Sequence, residues 1–179
     1  MAIPKLAFQG QVFRAHDPRW AWDPESGEGA RLHGGRFNAR GTPALYLSLS
    51  FEAAWAEAQQ GFPFRTQPLT ICTYEADCER IIDLRDPVVR KAAGVSMADL
   101  ACGWEGLVNR KAIPPTHKLA LELIDVGVAG ILVPSFALGA PNGATNLVAW
   151  QWSRDLPNRI QCIDDEGRLG AIVPGEPAE

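Results

Sequence analysis

The stretch ALYLSLS, residues 44–50, alternates apolar and polar side chains with a period of two. Only a strand with two different faces uses such a pattern, because successive side chains point to opposite sides. Leu45, Leu47 and Leu49 therefore line one face, and Tyr46, Ser48 and Ser50 the other. FEAAWAEAQQG follows at once and reads as a helix, with Ser50 as its N-cap and Gly61 ending the run. Phe51, Ala54, Trp55 and Ala58 form its expected apolar stripe. The polar face of the strand carries Tyr and Ser rather than the Lys, Glu or Thr of a solvent face. That suits a shallow cleft in which a flat ligand lies against the sheet; the alternative is an edge strand whose polar face is merely wet.

Further strands are expected at KLAFQGQVFRAH, PLTICTYEAD, RIIDL, AGILVPS, NLVAWQWS and NRIQCID. DPVVRKAAG starts a short helix, with an Asp cap and Pro at the first helical position. SMADLACGW and THKLALELIDVG are two more helix candidates. Strands and helices alternate without a regular βαβ rhythm, which predicts an α+β class. The 179 residues suit a single domain over 1–179, with a core of about 6–165 and a frayed tail at 174–179. DPRWAWDPESGEG reads as a surface loop. Its Trp20 and Trp22 either pin the loop, meet a partner protein, or line a ligand cleft.

A formal net charge of −4 argues against a general nucleic-acid binder, which needs a basic footprint. No apolar run reaches membrane-spanning length, and MAIPKLAFQGQ lacks the regions of a signal peptide, so a cytoplasmic location is expected. Cys72, Cys78, Cys102 and Cys162 form no CxxC pair, and His16, His33 and His117 are scattered. The cysteines are expected to be reduced, mostly buried thiols, and no metal site is expected.

Around the strand, Arg31 and Arg36 bracket Gly34 and Gly35, and Arg14 lies on the first strand. Glycines let backbone approach a ligand, and guanidinium groups bind phosphate through paired, charge-assisted hydrogen bonds. Glu52 and Glu57 are five positions apart and diverge by about 140° on a regular helix, so both do not easily enter one pocket. Arginine for a diphosphate, an aromatic for a ring and a carboxylate for a nascent sugar cation together fit NAD⁺. GEGARLHG is expected to precede no helix, and no strand leads into it, so there is no Rossmann fingerprint. NAD⁺ would therefore be a substrate and not a hydride carrier.

The order FRA, GGRFNARGTPALYLSLSFEAAWAE, GILVPS and a following Asn resembles the RES domain over residues 12–150. The resemblance implies a fold similar to that of ADP-ribosyltransferases, with split central β-sheets flanked by short helices. It implies a toxin of a type II toxin–antitoxin module, partnered by a helix-turn-helix antitoxin in a hetero-oligomer. Such toxins cleave NAD⁺ or transfer ADP-ribose to a target protein, in one branch an enzyme of nucleotide metabolism. On this match Arg36 is the arginine of the GGR(W/F)N motif, where Phe37 replaces the commoner Trp. Tyr46 is the strand tyrosine, Glu57 the glutamate eleven positions on, Arg14 the early arginine, and Ser135 and Asn146 the later Ser and Asn. A second alignment, to mono-ADP-ribosyltransferases with an Arg, a Ser-x-Ser strand and a Glu, selects Arg31, Ser48 with Ser50, and Glu52. Three activities stand open: ADP-ribosyl transfer to protein, NAD⁺ glycohydrolysis or phosphorolysis, and non-enzymatic protein binding. Residues 62–112 match no motif.

Overall fold

The protein is described here from a computed structural model covering residues 3–59 and 68–169. The expected helix end at Gly61 and the expected frayed tail lie outside the described residues.

The longest elements are two antiparallel strands, β1 (Leu6–His16) and β3 (Thr70–Asp83), paired from Leu6↔Ile81 to His16↔Thr70. In β3 the alternation of Cys72, Tyr74, Ala76 and Cys78 with Thr73, Glu75 and Asp77 buries one face only. Two strands were expected here, and one is found. It continues through Arg80, which adopts φ 59° where the β1 register slips between Leu6 and Phe8. This bulge shifts the alternation by one residue, so that Ile81 continues the interior face of Cys78 and Ile82 faces the helical core.

β3 has different partners along its length. Its middle residues, Tyr74 to Cys78, pair with β6 (Asn158–Cys162), and its last three residues pair in parallel with β4 (Gly130–Pro134). β4 pairs with β5 (Thr145–Ala149), β5 with β2 (Leu45–Ser48), and β2 returns to β1 through Phe13↔Ser48. Five strands of the six-stranded sheet thus close a ring through the β1–β3 pairing, and β6 is attached to β3. Val12, Leu45, Leu47, Tyr74, Leu132 and Leu147 fill the interior. Ile82, Ile131, Val133, Val148 and Trp150 face outward against the helices.

The leucines of β2 enter the interior core and Tyr46 faces the helical one, as the alternation requires. GEGARLHG is expected to precede no helix, and the sequence pattern assigns none to it; helix α1 (Glu28–His33) lies within it. It has no side-chain cap and only six residues, so local signals are weak; burial of Ala30 against the helical core stabilises it instead. Helix α2 (Phe51–Gln59) is capped by Ser50, whose Oγ accepts from the Ala53 N–H at 3.2 Å. Its buried face is Ala53, Ala54 and Ala56, whereas Phe51 and Trp55 are 50% and 39% exposed. The expected stripe holds at Ala54 but fails at Phe51 and Trp55, because α2 packs closely on β1 and β2, where methyl groups fit and aromatic rings do not.

Asp86 caps α3 (Pro87–Ala92), and a reciprocal Ser96–Asp99 box caps α4 (Met97–Leu100). The SMADLACGW helix ends at Leu100, and a separate α5 (Trp104–Asn109) follows. α6 (Pro115–Asp125) buries Thr116, Leu119, Ala120 and Leu123 at helical spacing. Among the described residues no helix is long and apolar enough to cross a membrane.

Gly130 sits where three strands converge. A Cβ there would lie 2.6 Å from the Val148 carbonyl oxygen and 3.2 Å from the Ala149 Cα. Both are backbone atoms, so relief requires β5 to move. Gly130→Ala is expected to destabilise the fold by about 1–3 kcal/mol, read as a lower urea midpoint with an unchanged slope.

Candidate active site

A cleft of about 450 Å³ opens between β1, β2, α1 and the N-terminus of α5. Its walls carry Arg14, Arg36, Tyr46, Ser48, Glu57 and Asn146.

One wall is the turn GGRFN, which is fastened to β2. Asn38, fully buried, accepts from the Tyr46 hydroxyl at 2.7 Å through Oδ1. Its Nδ2 donates to the carbonyls of Ala30 and Thr42, each at 2.8 Å. The Tyr46 oxygen in turn accepts from the Phe37 N–H at 2.9 Å. Trp150 Nε1 donates to the Phe37 carbonyl at 3.0 Å, and His117 Nε2 donates to the Gly35 carbonyl at 2.8 Å. Gly35 is required by this packing: a Cβ would come within 2.5 Å of the Tyr46 oxygen and 2.7 Å of Asn38 Oδ1. Burial pushes the Tyr46 phenol above its ordinary value, so it remains a proton donor.

Arg36 leaves this turn with its guanidinium already oriented. Nη1 donates to the carbonyls of Cys102 at 2.6 Å and Leu100 at 3.2 Å, and the guanidinium carbon stands 4.9 Å from the Phe136 ring centroid. Arg14 is held in the same manner. Its Nη1 donates to Pro24 O at 2.8 Å and Ser26 O at 3.0 Å, and Tyr74 OH also donates to Pro24 O at 2.7 Å.

The Glu57 carboxylate and the side chains of Ser48 and Asn146 form the opposite wall, with Ser135 hydrogen-bonded to the carboxylate. Ser48 and Asn146 are cross-strand partners on β2 and β5. Ser48 Oγ donates to Asn146 Oδ1 at 2.8 Å, which turns Asn146 Nδ2 toward Glu57 Oε1 at 2.5 Å. Ser135 Oγ donates to the same Oε1 at 2.6 Å and accepts from the Ala137 N–H at 3.2 Å. Four elements thus fix one carboxylate at the cleft wall. Glu57 reaches it because it neighbours Ala53, Ala54 and Ala56 on the sheet side of α2; Glu52 is exposed on the outer side.

The structure therefore brings together Arg14, Arg36, Tyr46, Ser48, Glu57, Ser135 and Asn146. It does not bring in Arg31 or Glu52. Arg31 lies on the outer side of α1, where its Nε donates to Glu28 Oε2 at 2.7 Å, and its side chain is exposed. Of the second alignment only Ser48 lines the cleft. Sequence reasoning missed Asn38 and His117, which build the turn, and Phe13, Trp104 and Glu105, which line the cleft. Asn38 had a signal, since it closes the GGRFN motif. Trp104 and Glu105 had none, because they fall in the stretch without a motif. Among the described residues no group of three or more His, Cys, Asp or Glu is placed to hold a metal ion. All four cysteines are free thiols; Cys72 and Cys78 are buried, and Cys102 and Cys162 are partly exposed.

The family model described as RES domain matches residues 11–170. A chain in the crystal structure of the M. tuberculosis MbcT–MbcA toxin–antitoxin complex has a similar fold, with a TM-score of 0.63 and 22% identity. That likeness covers 89% of this chain and 84% of the other. No curated protein matches the sequence.

Tyr46→Phe removes a donor to Asn38 and an acceptor for the Phe37 N–H, both buried. It is expected to lower stability at neutral pH by about 1–3 kcal/mol in urea denaturation. The folded protein keeps the Tyr46 proton at pH values where an unfolded tyrosine loses it. Its contribution is therefore complete below about pH 10 and declines as pH rises from there. The variant should show a shallower alkaline loss of stability than the wild type, with Tyr74 and the thiols of Cys72, Cys78 and Cys162, all raised by burial, contributing to what remains.

Proposed function

The chain belongs to the RES domain family, and on that premise we propose that it is a toxin of a toxin–antitoxin module that cleaves the nicotinamide–ribose bond of NAD⁺ and transfers ADP-ribose to a target protein. The observation that carries this reading is the Glu57 carboxylate, held by Ser135 and Asn146 in one cleft with Arg14 and Arg36.

In this reading the two guanidinium groups bind the diphosphate. The glycosidic bond breaks with its electron pair passing to the pyridine nitrogen, so nicotinamide leaves neutral. Positive charge then develops on the ribose, and Glu57, already oriented, stabilises it with little reorganisation. Ser48 acts through Asn146 as a positioning residue. Tyr46 holds the arginine turn with its hydroxyl and presents its ring at the cleft. The acceptor attacks the ribose carbon and releases a proton. Glu105, a second carboxylate at the cleft, is suited to take that proton from an acceptor side chain or from water.

NAD⁺ is then the substrate, and no step requires a metal. A consumer of NAD⁺ must be restrained in its own cell, which supports a cognate antitoxin, expected to be of the helix-turn-helix type, and a cytoplasmic location. The name of the MbcT–MbcA complex supports such a partner. Residues 1–179 would act as one domain.

Glu57→Gln is expected to lower NAD⁺ consumption by about 10²–10³-fold while the denaturation midpoint is nearly kept. Glu52→Gln should leave consumption unchanged; an equal loss in both variants would remove Glu57 from its role. Mass spectrometry after incubation with NAD⁺ and lysate should find nicotinamide and an ADP-ribosylated protein. Free ADP-ribose, or ADP-ribose 1-phosphate in phosphate buffer, would replace transfer by hydrolysis or phosphorolysis. No consumption at all would leave a protein-binding module.

A further inference from the structure

Beside the cleft lies a second hollow of about 330 Å³, walled by Trp20, Trp22, Leu32 and Asp23. Arg14 and Gly29 line both cavities, so the hollow adjoins the cleft at the arginine suited to a diphosphate. We infer that this hollow seats the purine base of the dinucleotide, a conclusion that rests on the NAD⁺ reading above.

Three large apolar side chains face water here: Trp20, Leu32 and Trp22 are 58%, 53% and 41% exposed. Leu32 stands on α1, and the two indoles are not on a loose loop. Arg14 and Tyr74 bind its carbonyls at Pro24 and Ser26, and Trp152 Nε1 donates to Glu25 O at 3.0 Å. Glu25 also accepts from the Cys162 N–H at 2.9 Å and from Arg154 Nε at 2.8 Å. Exposed indole rings on a fastened support form a preorganised stacking platform for a flat base. Asp23 supplies an acceptor for the amino edge of a purine. Both carbonyls bound by Arg14 are served by Nη1, so Nε and Nη2 are used by neither. The cleft lies near the lower end of the volumes that enclose ligands of this size, about 300–1,000 Å³, and the adjoining hollow extends it. Of a nucleotide segment and a protein segment, the shared arginine favours the nucleotide.

The test is calorimetric binding of AMP to the whole protein, beside the kinetics of NAD⁺ consumption. AMP should bind the wild type and Glu57→Gln alike. The Trp20→Ala/Trp22→Ala double variant should weaken AMP at least about fivefold, and the corresponding double Phe variant should recover most of it. KM for NAD⁺ should rise by a similar factor in the alanine variant, with kcat kept. Gly29→Leu supplies an independent arm. A Cβ at Gly29 meets nothing within 4 Å, so the leucine folds in place and intrudes on the shared wall, and KM should rise again. Unchanged AMP affinity in the alanine variant, with circular dichroism as in the wild type, would overturn the inference. If that variant instead loses its antitoxin and keeps AMP, the rings serve the partner and the inference also falls. Absence of NAD⁺ consumption by the wild type would defeat the proposed function, whereas the AMP measurement judges the hollow by itself.

Discussion

The hydrogen bond from Tyr46 to Asn38 is the contact on which the cleft depends. A turn containing two glycines has little intrinsic preference for one shape. Here the tyrosine of β2 and the buried asparagine of the turn satisfy each other, and the asparagine amide ties the turn to α1 and to the approach to β2. Arg36 is carried on that turn, between residues that cannot shift without leaving buried polar atoms unpaired. The aromatic that sequence reasoning assigned to stacking on the ligand thus has a second task, in its hydroxyl.

The same economy governs the acidic wall. Glu57 reaches the cleft because α2 packs on the sheet through alanines, and α2 can pack there because its larger residues are turned outward. Asn146 is aimed by Ser48, its register partner across β2 and β5. Sheet pairing therefore sets the direction of a side chain that in turn sets the carboxylate. A shift of β5 by one residue would send Asn146 to the interior core and leave Glu57 with Ser135 alone of these two donors.

Much of this was legible in the residues. ALYLSLS gave both faces of β2 by alternation, and Ser50 gave the start of α2. The resemblance to the RES domain picked out Arg14, Arg36, Glu57, Ser135 and Asn146, which the fold gathers from five separate segments. The choice between Glu52 and Glu57 was not legible. Helical periodicity places them on different sides, but the buried side is set by how close α2 lies to the sheet, a tertiary property. The apolar stripe misled for the same reason, since Phe51 and Trp55 outrank alanine in hydrophobicity yet not in fit. Helix α1 was missed because six residues with a glycine cap carry almost no local signal. The single strand through Arg80 was missed because a bulge looks like a break when only the pattern is read.

Several exposed arginines and the two cleft arginines differ in their partners, and the difference bears on how an acidic protein presents a cleft suited to an anion. Arg19, Arg31, Arg85 and Arg154 each face a carboxylate within ion-pair distance, and their charge is largely cancelled where they stand. Among the described residues, the ion pairs include neither Arg14 nor Arg36, which are oriented by backbone carbonyls. A carbonyl dipole fixes a guanidinium in place but does not neutralise it. The two cleft arginines keep their full positive charge in fixed positions, one in the arginine turn and one on the first strand. The net charge of −4 resides elsewhere, so the local field at the cleft need not follow the sign of the whole molecule.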